Sequence, residues 1–548
     1  MKFFSSRILP ATLVALLALL PLAAVLAYGV RVPIEDEWDH LEQLVRLEHG
    51  QLHLADLFAR YNEHRLVFTR VVLYALDLAS GFDNRWSMRL SGLLVAACIA
   101  MLTASTMSGG WTARGLWKCV PVALVFANLR QLDGLLWGWA VQAYLCLALS
   151  VAALVVLKEG QDRRRVLAFC GLSLLAAASW AAGIAVFPAA LLQWWCARPR
   201  HDTTGARFRL GPLAITMTFA LTSVWLAWGV PLESSGVRFG ERATALLLLL
   251  GSPLSGDPAL ATVAGASLLA VSTLVLSMVA THRLRLTQGA LPVGVLSFGL
   301  GAALLLAIGR ASADWHDLLN ARYVAVLATI PAGLWLLLLQ LQPTPPALPA
   351  LAALLALATL WAAATGAREA VALGPVRQTE RRLLAWFART AALQTDQTLH
   401  FLGSNTPAVR RGAQSLERLH WNVWRSDEAA PRSLSAGVAV GTLELLNGGP
   451  IPSDTHAVLQ LPGETLFDIK GRALDAAGRA ARVFIAIDDV RLPAYLEEDS
   501  PEYEGRFRAQ LWLRPLGLGL HRVRVLAGAE GGSTEALIAA PIWVEVLP

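Results

Sequence analysis

The first apolar stretch of the chain, residues 8–30, reads ILPATLVALLALLPLAAVLAYGV and contains no charged residue. An α-helix needs about 20 apolar residues to cross the hydrocarbon core of a bilayer. The apolar part of a cleavable secretory signal is shorter than this. The stretch therefore predicts an uncleaved membrane-spanning helix.

The composition of the whole chain extends this prediction. Of its 548 residues, 55% are hydrophobic and only 16% are charged, whereas roughly a quarter of the residues in a typical soluble protein are charged. A soluble protein this apolar could not cover its surface with polar groups. The composition excludes a string of soluble domains and predicts a polytopic protein whose surroundings are a lipid bilayer.

The basic residues and the cysteines exclude further classes. The net charge of +6 comes almost entirely from arginine, which fits a GC-rich bacterial genome. Nucleic-acid binding would need a clustered basic patch, and we predict no nucleic-acid partner. The five cysteines lie in or beside apolar stretches and are typical of small buried side chains rather than of a disulfide or zinc framework.

Ten more apolar stretches predict further spans, which makes about eleven in total. They cover approximately residues 86–107, 116–131, 135–157, 166–182, 183–197, 210–230, 258–281, 290–309, 322–342 and 347–366. We therefore predict an all-α polytopic membrane bundle over residues 1–366.

The short loops between these stretches indicate the orientation, because cytoplasmic loops carry an excess of lysine and arginine. With the N-terminus in the cytoplasm, the basic residues of the short loops fall on the cytoplasmic side: Arg114, Lys118, Lys158, Arg163, Arg164, Arg165, Arg198, Arg200, Arg207, Arg209, Arg283 and Arg285. Residues 31–85 and everything after about residue 367 then lie outside. In a bacterium this predicts a multi-pass protein of the inner membrane with a periplasmic C-terminal domain.

The C-terminal part has two different patterns. Residues 367–430 are rich in arginine with helical periodicity and predict a helical connector. Residues 431–548 contain short alternating runs, such as Val-Phe-Ile-Ala-Ile at 483–487, separated by glycine, proline and aspartate turns. This spacing is typical of a small all-β, sandwich-like soluble domain.

The loop 31–85 carries the densest chemistry. It opens with Pro33-Ile34-Glu35-Asp36-Glu37-Trp38-Asp39-His40, and apolar residues then recur at helical spacing, which predicts amphipathic helices along the membrane interface. Residues Glu63, His64 and Arg65 follow, and in a catalytic site they would orient the carboxylate and neutralise a phosphate of the substrate. Either a carboxylate here, Asp36 or Glu37, is a general base for an acceptor hydroxyl, or the acidic residues only solvate the loop.

Two more constellations lie at predicted span ends. Arg310 and Arg322, with Tyr323, flank a short outer loop and could clamp a phosphate, although arginine and tyrosine also anchor span ends at the interface. Asp133 and Trp137 lie in the run Gln-Leu-Asp-Gly-Leu-Leu-Trp-Gly at 131–138. The tryptophan is typical of an interfacial belt, whereas the aspartate is not.

Five stretches of the sequence resemble the C-type glycosyltransferases, a superfamily that includes protein mannosyltransferases and lipid A aminoarabinose transferases. The resemblance is closest to a largely uncharacterised group of bacterial multi-span membrane proteins within or near it. The stretches are Pro33-x-x-Asp36-x-Trp38, Leu54–Phe58 leading into residues 62–65, residues 131–138, Gly309-Arg310-Ala311 with Ala321-Arg322-Tyr323, and residues 398–424. The chain departs from the related chains at Leu132-Asp133-Gly134, where they have Trp-Glu-Asn.

The resemblance implies inverting transfer of a sugar from a polyprenyl-phosphate donor to a glycan, lipid or protein acceptor. Asp36, with Glu37 as the competing register, would hold the acceptor proton. Arg310, Arg322 and Arg65 would bind the leaving lipid phosphate, and the β domain would bind acceptor glycan or a partner. No cofactor is required, although the carboxylates could hold a divalent metal.

Two rival functions remain open at this stage. A transporter of a lipid-linked glycan predicts charged residues at mid-membrane and internal repeats, and the sequence has few of the former and none of the latter. A non-catalytic scaffold of envelope assembly, with the β domain as its working part, is compatible with every feature above.

Overall fold

The computed structural model describes most of the chain. The described residues are 7–61, 64–158, 162–197, 207–227, 239–281, 283–287, 289–310, 315–342, 347–425, 440–446, 458–462, 466–474, 482–488, 490–496, 506–512, 515, 519–528, 536–537 and 542–547.

The described helices follow one another through residue 419. They are α1 (Ile8–Tyr28), α2 (Asp36–Glu48), α3 (Leu54–Phe58), α4 (Val67–Ser80), α5 (Arg85–Thr106), α6 (Ala113–Phe126), α7 (Leu132–Leu135), α8 (Val141–Lys158), α9 (Arg163–Ser179), α10 (Val186–Cys196), α11 (Arg207–Ala227), α12 (Phe239–Gly251), α13 (Pro258–Ala280), α14 (Leu291–Arg310), α15 (Trp315–Leu318), α16 (Ala321–Leu327), α17 (Thr329–Leu338), α18 (Ala347–Arg389), α19 (Asp396–Leu399) and α20 (Thr406–Leu419).

The strands come mostly after the helices. They are β1 (Arg285–Leu286), β2 (Leu341–Gln342), β3 (Val440–Leu446), β4 (Val458–Pro462), β5 (Leu466–Leu474), β6 (Arg482–Ile487), β7 (Val490–Pro493), β8 (Tyr495–Leu496), β9 (Arg506–Trp512), β10 (Gly519–Gly528), β11 (Ala536–Leu537) and β12 (Ile542–Leu547).

The chain divides into two compact units. One, the helical unit, consists of Met1–Gly29, His53–Ser80 and Asn84–Gln378. The other, the mixed unit, consists of Val30–Leu52, Gly81–Asp83 and Thr379–Pro548. The predicted domain boundaries at residues 366 and 430 stay predictions.

Within the described residues, seven helical segments are long and apolar enough to cross a membrane: Ile8–Tyr28, Arg85–Thr106, Gly138–Lys158, Pro258–Ala280, Leu291–Arg310, Ala321–Leu338 and Ala347–Arg389. Ala181–Cys196 and Gly211–Leu226 are shorter apolar helices. The prediction of a mostly helical chain with apolar helices that could span a membrane is confirmed, and the count of about eleven spans stays a prediction.

Small residues bring the helices of the helical unit close together, as is usual between helices in lipid. A Cβ on Gly92 of α5 would lie 2.9 Å from the Leu22 Cα of α1. A Cβ on Gly265 of α13 would lie 1.9 Å from the Leu247 carbonyl oxygen of α12. A larger residue at either position would clash with the backbone of the neighbouring helix, so both positions require glycine.

The strands after residue 440 form two sheets. One has the order β4-β12-β10-β6-β7 with β11 paired to β10, and the other has the order β3-β5-β9-β8. All their neighbours are antiparallel except β12 and β4, which are parallel. Alternate residues of both sheets, such as Phe467, Ile469, Ile485 and Val523, are buried in one shared cluster, as the period of two in the sequence predicts.

Candidate functional site

A stack of aromatic rings in the helical unit brings together residues from distant parts of the chain. Trp180, directly after α9, lies parallel to Tyr323 of α16 at a ring-centroid distance of 6.0 Å and an interplanar angle of 3°. His64 meets Trp180 edge-on at 6.4 Å. Asn320 fixes the start of α16, because its side chain accepts a hydrogen bond from the Arg322 amide at 3.2 Å.

Arg322 continues this stack. Its Cζ lies 5.0 Å from the centre of the Tyr323 ring and 5.4 Å from that of the Trp137 ring. Its Nη2 donates to the Tyr323 hydroxyl at 3.1 Å, and its Nε is buried without a hydrogen-bond partner among the described residues. Cation–π contacts hold the guanidinium in place, and none of its described contacts is with a carboxylate.

Two more polar atoms near Arg322 are also buried without a hydrogen-bond partner among the described residues. Neither Trp137 Nε1 nor the Tyr144 hydroxyl has a hydrogen-bond partner within the described part of the chain. Gly134 lies between, since a Cβ there would be 3.1 Å from the Arg322 Cα and 3.2 Å from the Tyr144 hydroxyl. Buried polar groups are normally paired. We call His64, Trp137, Tyr144, Trp180, Arg322 and Tyr323 the Arg322 cluster. Its Trp137, Tyr144 and Arg322 donors that lack a partner among the described residues suit an anion.

Asp133, by contrast, has a partner within the protein. Its carboxylate receives hydrogen bonds from the Nε and Nη2 of Arg377 at 3.0 and 3.3 Å. This bidentate ion pair connects α7 to α18, and about half of the Asp133 side chain is exposed. The pair gives a structural role to the residue that the interfacial-belt interpretation leaves unexplained.

The other predicted residues of this unit are less closely grouped. Arg65 donates from Nη1 to the Phe58 carbonyl at 2.8 Å, at the end of α3. Arg310 is the last residue of α14 and is partly exposed. Glu63 lies outside the described residues.

The two predicted acids lie in the mixed unit and have different surroundings. Glu37 is only 3% exposed, and its Oε2 accepts a hydrogen bond from the Ile34 amide at 2.9 Å. Asp36 is partly exposed in the first turn of α2, where the helix dipole favours a carboxylate. Glu37 is thus engaged in holding the turn that leads into α2.

Helix α2 packs against α20 in the same unit. Trp38 is buried, and a Cβ on Gly412 would lie 2.9 Å from its Cε3. Asn405 donates to Asp39 at 2.8 Å. Two of the five stretches that carry the family resemblance, Pro33-x-x-Asp36-x-Trp38 and residues 398–424, are therefore packed together.

Glu35 is a residue that sequence reasoning did not select. Its backbone has φ 48° and ψ −125°, a conformation that costs a non-glycine residue about 1–3 kcal/mol. Its amide donates to the Leu402 carbonyl at 2.6 Å. Partial burial and the neighbouring Asp36 raise the pKa of the Glu35 carboxyl, which His400 and Arg381 partly offset. Backbone strain with a perturbed carboxyl is a known mark of functional sites.

Sequence reasoning also missed Tyr144 and Trp180. Both lie inside or beside apolar runs, where a large aromatic residue is ordinarily part of the core, and only the packing reveals their neighbours. Among the described residues, no group of three or more histidine, cysteine, aspartate or glutamate side chains could hold a metal ion. No family model, curated protein or solved structure matches the chain.

Proposed function

We propose that the protein is an integral-membrane glycosyltransferase of the C type. It moves a sugar from a polyprenyl-phosphate donor to an envelope glycan, lipid or protein acceptor on the outer face of the bacterial inner membrane. The Arg322 cluster carries the proposal, because it combines an arginine with no acidic partner among the described residues, buried polar donors and a series of aromatic rings.

Each part of the cluster suits one part of such a donor. Negative charge grows on the leaving phosphate as its bond to the anomeric carbon breaks, and a pre-positioned arginine stabilises that charge best in a site with little water. The aromatic faces of Trp180 and Tyr323 offer apolar surfaces with polar edges, which suit a sugar ring. Residues Trp137 and Tyr144 supply further donors.

The finer architecture belongs to the same proposal. About eleven spans with a cytoplasmic N-terminus would place the first loop and the C-terminal β sandwich in the periplasm. Asp36 would then be the general base on the acceptor hydroxyl, and the β domain would bind the acceptor glycan. Neither a cofactor nor a metal is required for this reaction.

The test is reconstitution of the full chain in lipid with a panel of radiolabelled polyprenyl-phosphate sugars. Release of free polyprenyl phosphate is followed for wild type, Arg322→Gln and Asp36→Asn. We expect both variants to lose turnover by a factor of about 100 or more. Arg165→Gln is the control, because Arg165 already pairs with Asp162 at 3.3 Å and should keep wild-type turnover.

Other results would favour the rivals. Movement of labelled donor across the bilayer without release of polyprenyl phosphate would identify a transporter. Binding of glycan by the full chain with no turnover of any donor would favour a scaffold. Turnover that is unchanged by Arg322→Gln would contradict the site, whatever the reaction.

A further inference from the structure

A second arginine of the helical unit has an unusual environment. Arg70 of α4 is fully buried. Its Nη1 donates to the carbonyl oxygens of Asp56, Leu57 and Ala59 at 3.1, 2.9 and 2.5 Å. Its Nε and Nη2 have no hydrogen-bond partner among the residues that the structure describes.

These two nitrogens form one particular edge of the guanidinium group. Nε–H and Nη2–H point the same way and make the fork that matches the two oxygens of a carboxylate or phosphate. The chain uses this fork elsewhere: Arg377 holds Asp133 with it, and Arg508 holds Asp468 at 3.0 and 2.8 Å. In Arg70 the carbonyls occupy only the other nitrogen, so the fork has no acceptor in the part of the chain that the structure describes.

A buried charge normally has its hydrogen bonds satisfied, because leaving a buried charged donor unpaired is costly. Helix capping explains Nη1, which satisfies carbonyls at the end of α3. It does not explain why the Nε–Nη2 edge of a buried cation has no acceptor among the described residues. An oxyanion that binds to Nε and Nη2 would satisfy both.

The residues next to Arg70 contact segments that adjoin the Arg322 cluster. The hydroxyl of Thr69, the preceding residue, donates to the Ser179 carbonyl at 3.0 Å, directly before Trp180. Leu66 and Leu73 of the same region belong to a buried cluster with Trp139, against which Trp137 packs. Arg70 thus lies on a helix that bonds the residue before Trp180 and shares a buried cluster against which Trp137 packs.

The geometry points to Arg70 as a phosphate-binding residue, which receives two oxygens of a phosphate ester on its Nε–Nη2 edge. The inference rests on the proposed function only for its expectation that the phosphate is that of a lipid. Inorganic phosphate would make the same pair of hydrogen bonds, so the two sources must be separated by experiment.

The experiment uses the full chain in nanodiscs of zwitterionic lipid. Isothermal titration calorimetry measures binding of inorganic phosphate, farnesyl phosphate and farnesol, which controls for partition into the lipid. Arg70→Lys is the decisive variant, because a lysine can still donate to the three carbonyls but has no fork. Arg508→Lys is the matched control, since its fork is already filled by Asp468.

We expect Arg70→Lys to weaken phosphate binding about tenfold or more, and Arg508→Lys to leave it unchanged. Binding of farnesyl phosphate alone identifies a lipid phosphate, and equal binding of inorganic phosphate identifies the free ion. Wild-type affinity in Arg70→Lys, or no binding by wild type, overturns the inference. Binding that depends on Arg70 in a protein without transfer activity would leave this inference standing and refute the proposed function.

A measurement on the wild type covers the case in which Arg70→Lys does not fold. Hydrogen exchange is recorded with and without saturating phosphate ligand. Phosphate bound at Arg70 should slow exchange of the backbone amides of α3 and of the first turns of α4. Protection at Trp137 and Tyr323 alone would place the phosphate at the Arg322 cluster and overturn the inference.

Discussion

The substitution Asp36→Asn should lower turnover, whereas Glu37→Gln should lower stability. The sequence leaves these two residues as alternatives for one role. In the structure Glu37 is buried and its Oε2 holds the Ile34 amide at 2.9 Å, whereas Asp36 is partly exposed at the start of α2. We therefore expect Asp36 to affect the reaction and Glu37 to affect the fold.

The expected magnitudes follow from these contacts. Glu37→Gln keeps an amide oxygen for the Ile34 N–H but loses the charge on that hydrogen bond, which costs about 1 kcal/mol. Glu37→Ala leaves the N–H buried without its acceptor and costs about 1–3 kcal/mol. In a folding unit of about 150–250 residues, such as the mixed unit, each kcal/mol of lost stability lowers Tm by about 2–4 °C. Glu37→Ala should therefore lower Tm by about 2–12 °C. Asp36→Asn should reduce turnover about 100-fold.

Both quantities are measured on the same preparation of the full chain in lipid. Near-ultraviolet circular dichroism gives the unfolding temperature, and release of polyprenyl phosphate gives the turnover for each folded molecule. The reasoning is refuted if Glu37→Gln loses turnover by a factor of about 100 at an unchanged unfolding temperature. It is equally refuted if Asp36→Asn unfolds at a lower temperature while its turnover is unchanged.

Three further predictions concern stability. The pKa of the Glu35 carboxyl is raised above its ordinary value of 4.5, so its ionisation destabilises the fold. Glu35→Gln should therefore raise Tm at pH values above that pKa and match the wild-type Tm below about pH 4.5. An equal gain in Tm at every pH would contradict this. Gly412→Ala places a Cβ 2.9 Å from Trp38 Cε3. The overpacking costs about 1–3 kcal/mol, which exceeds the helix-propensity gain of about 1 kcal/mol. Hydrogen exchange of the amides of α2 and α20 should therefore become faster, and slower exchange would show that the helices accommodate the methyl group. Asp133→Asn removes the half-exposed ion pair with Arg377. It should lower the free energy of unfolding by at most about 1 kcal/mol, and high salt should abolish this difference from wild type. A difference that persists in high salt would contradict the interpretation of a surface ion pair.

The apolar runs made the helices of the helical unit predictable for a simple reason. In lipid every backbone polar group must be satisfied inside the segment, so a long apolar run forms a helix almost regardless of its residue types. Helix α12 shows where this reasoning stops. Its leucine run at 246–250 is too short to cross a bilayer and lies outside the eleven predicted spans. Its pairing with α13 depends on Gly265, whose role only the packing reveals.

The sequence motifs identified four members of the Arg322 cluster but did not show that they lie together. His64, Trp137, Arg322 and Tyr323 were selected as parts of separate motifs, and the aromatic stack joins them through Trp180. No pattern of spacing could have predicted this join, because ring contacts between distant segments depend on how the helices pack. The apolar surroundings of Trp180 instead made it resemble an ordinary core residue.

The arginines show why the structure adds more to the site than to the fold. In the sequence they differ only in their neighbours, and Arg65, Arg310 and Arg322 were chosen because they lie in or near motifs. In the structure they differ in what their guanidinium groups contact: the fork of Arg377 is filled by a carboxylate, whereas Arg70 and Arg322 keep buried nitrogens without partners among the described residues. A fold gains nothing from such nitrogens, since burying an unpaired charged donor is costly. Places where local satisfaction fails are where function is expected. In this chain Arg322 contacts the rings of Trp137 and Tyr323, and the neighbour of Arg70, Thr69, bonds the residue before Trp180.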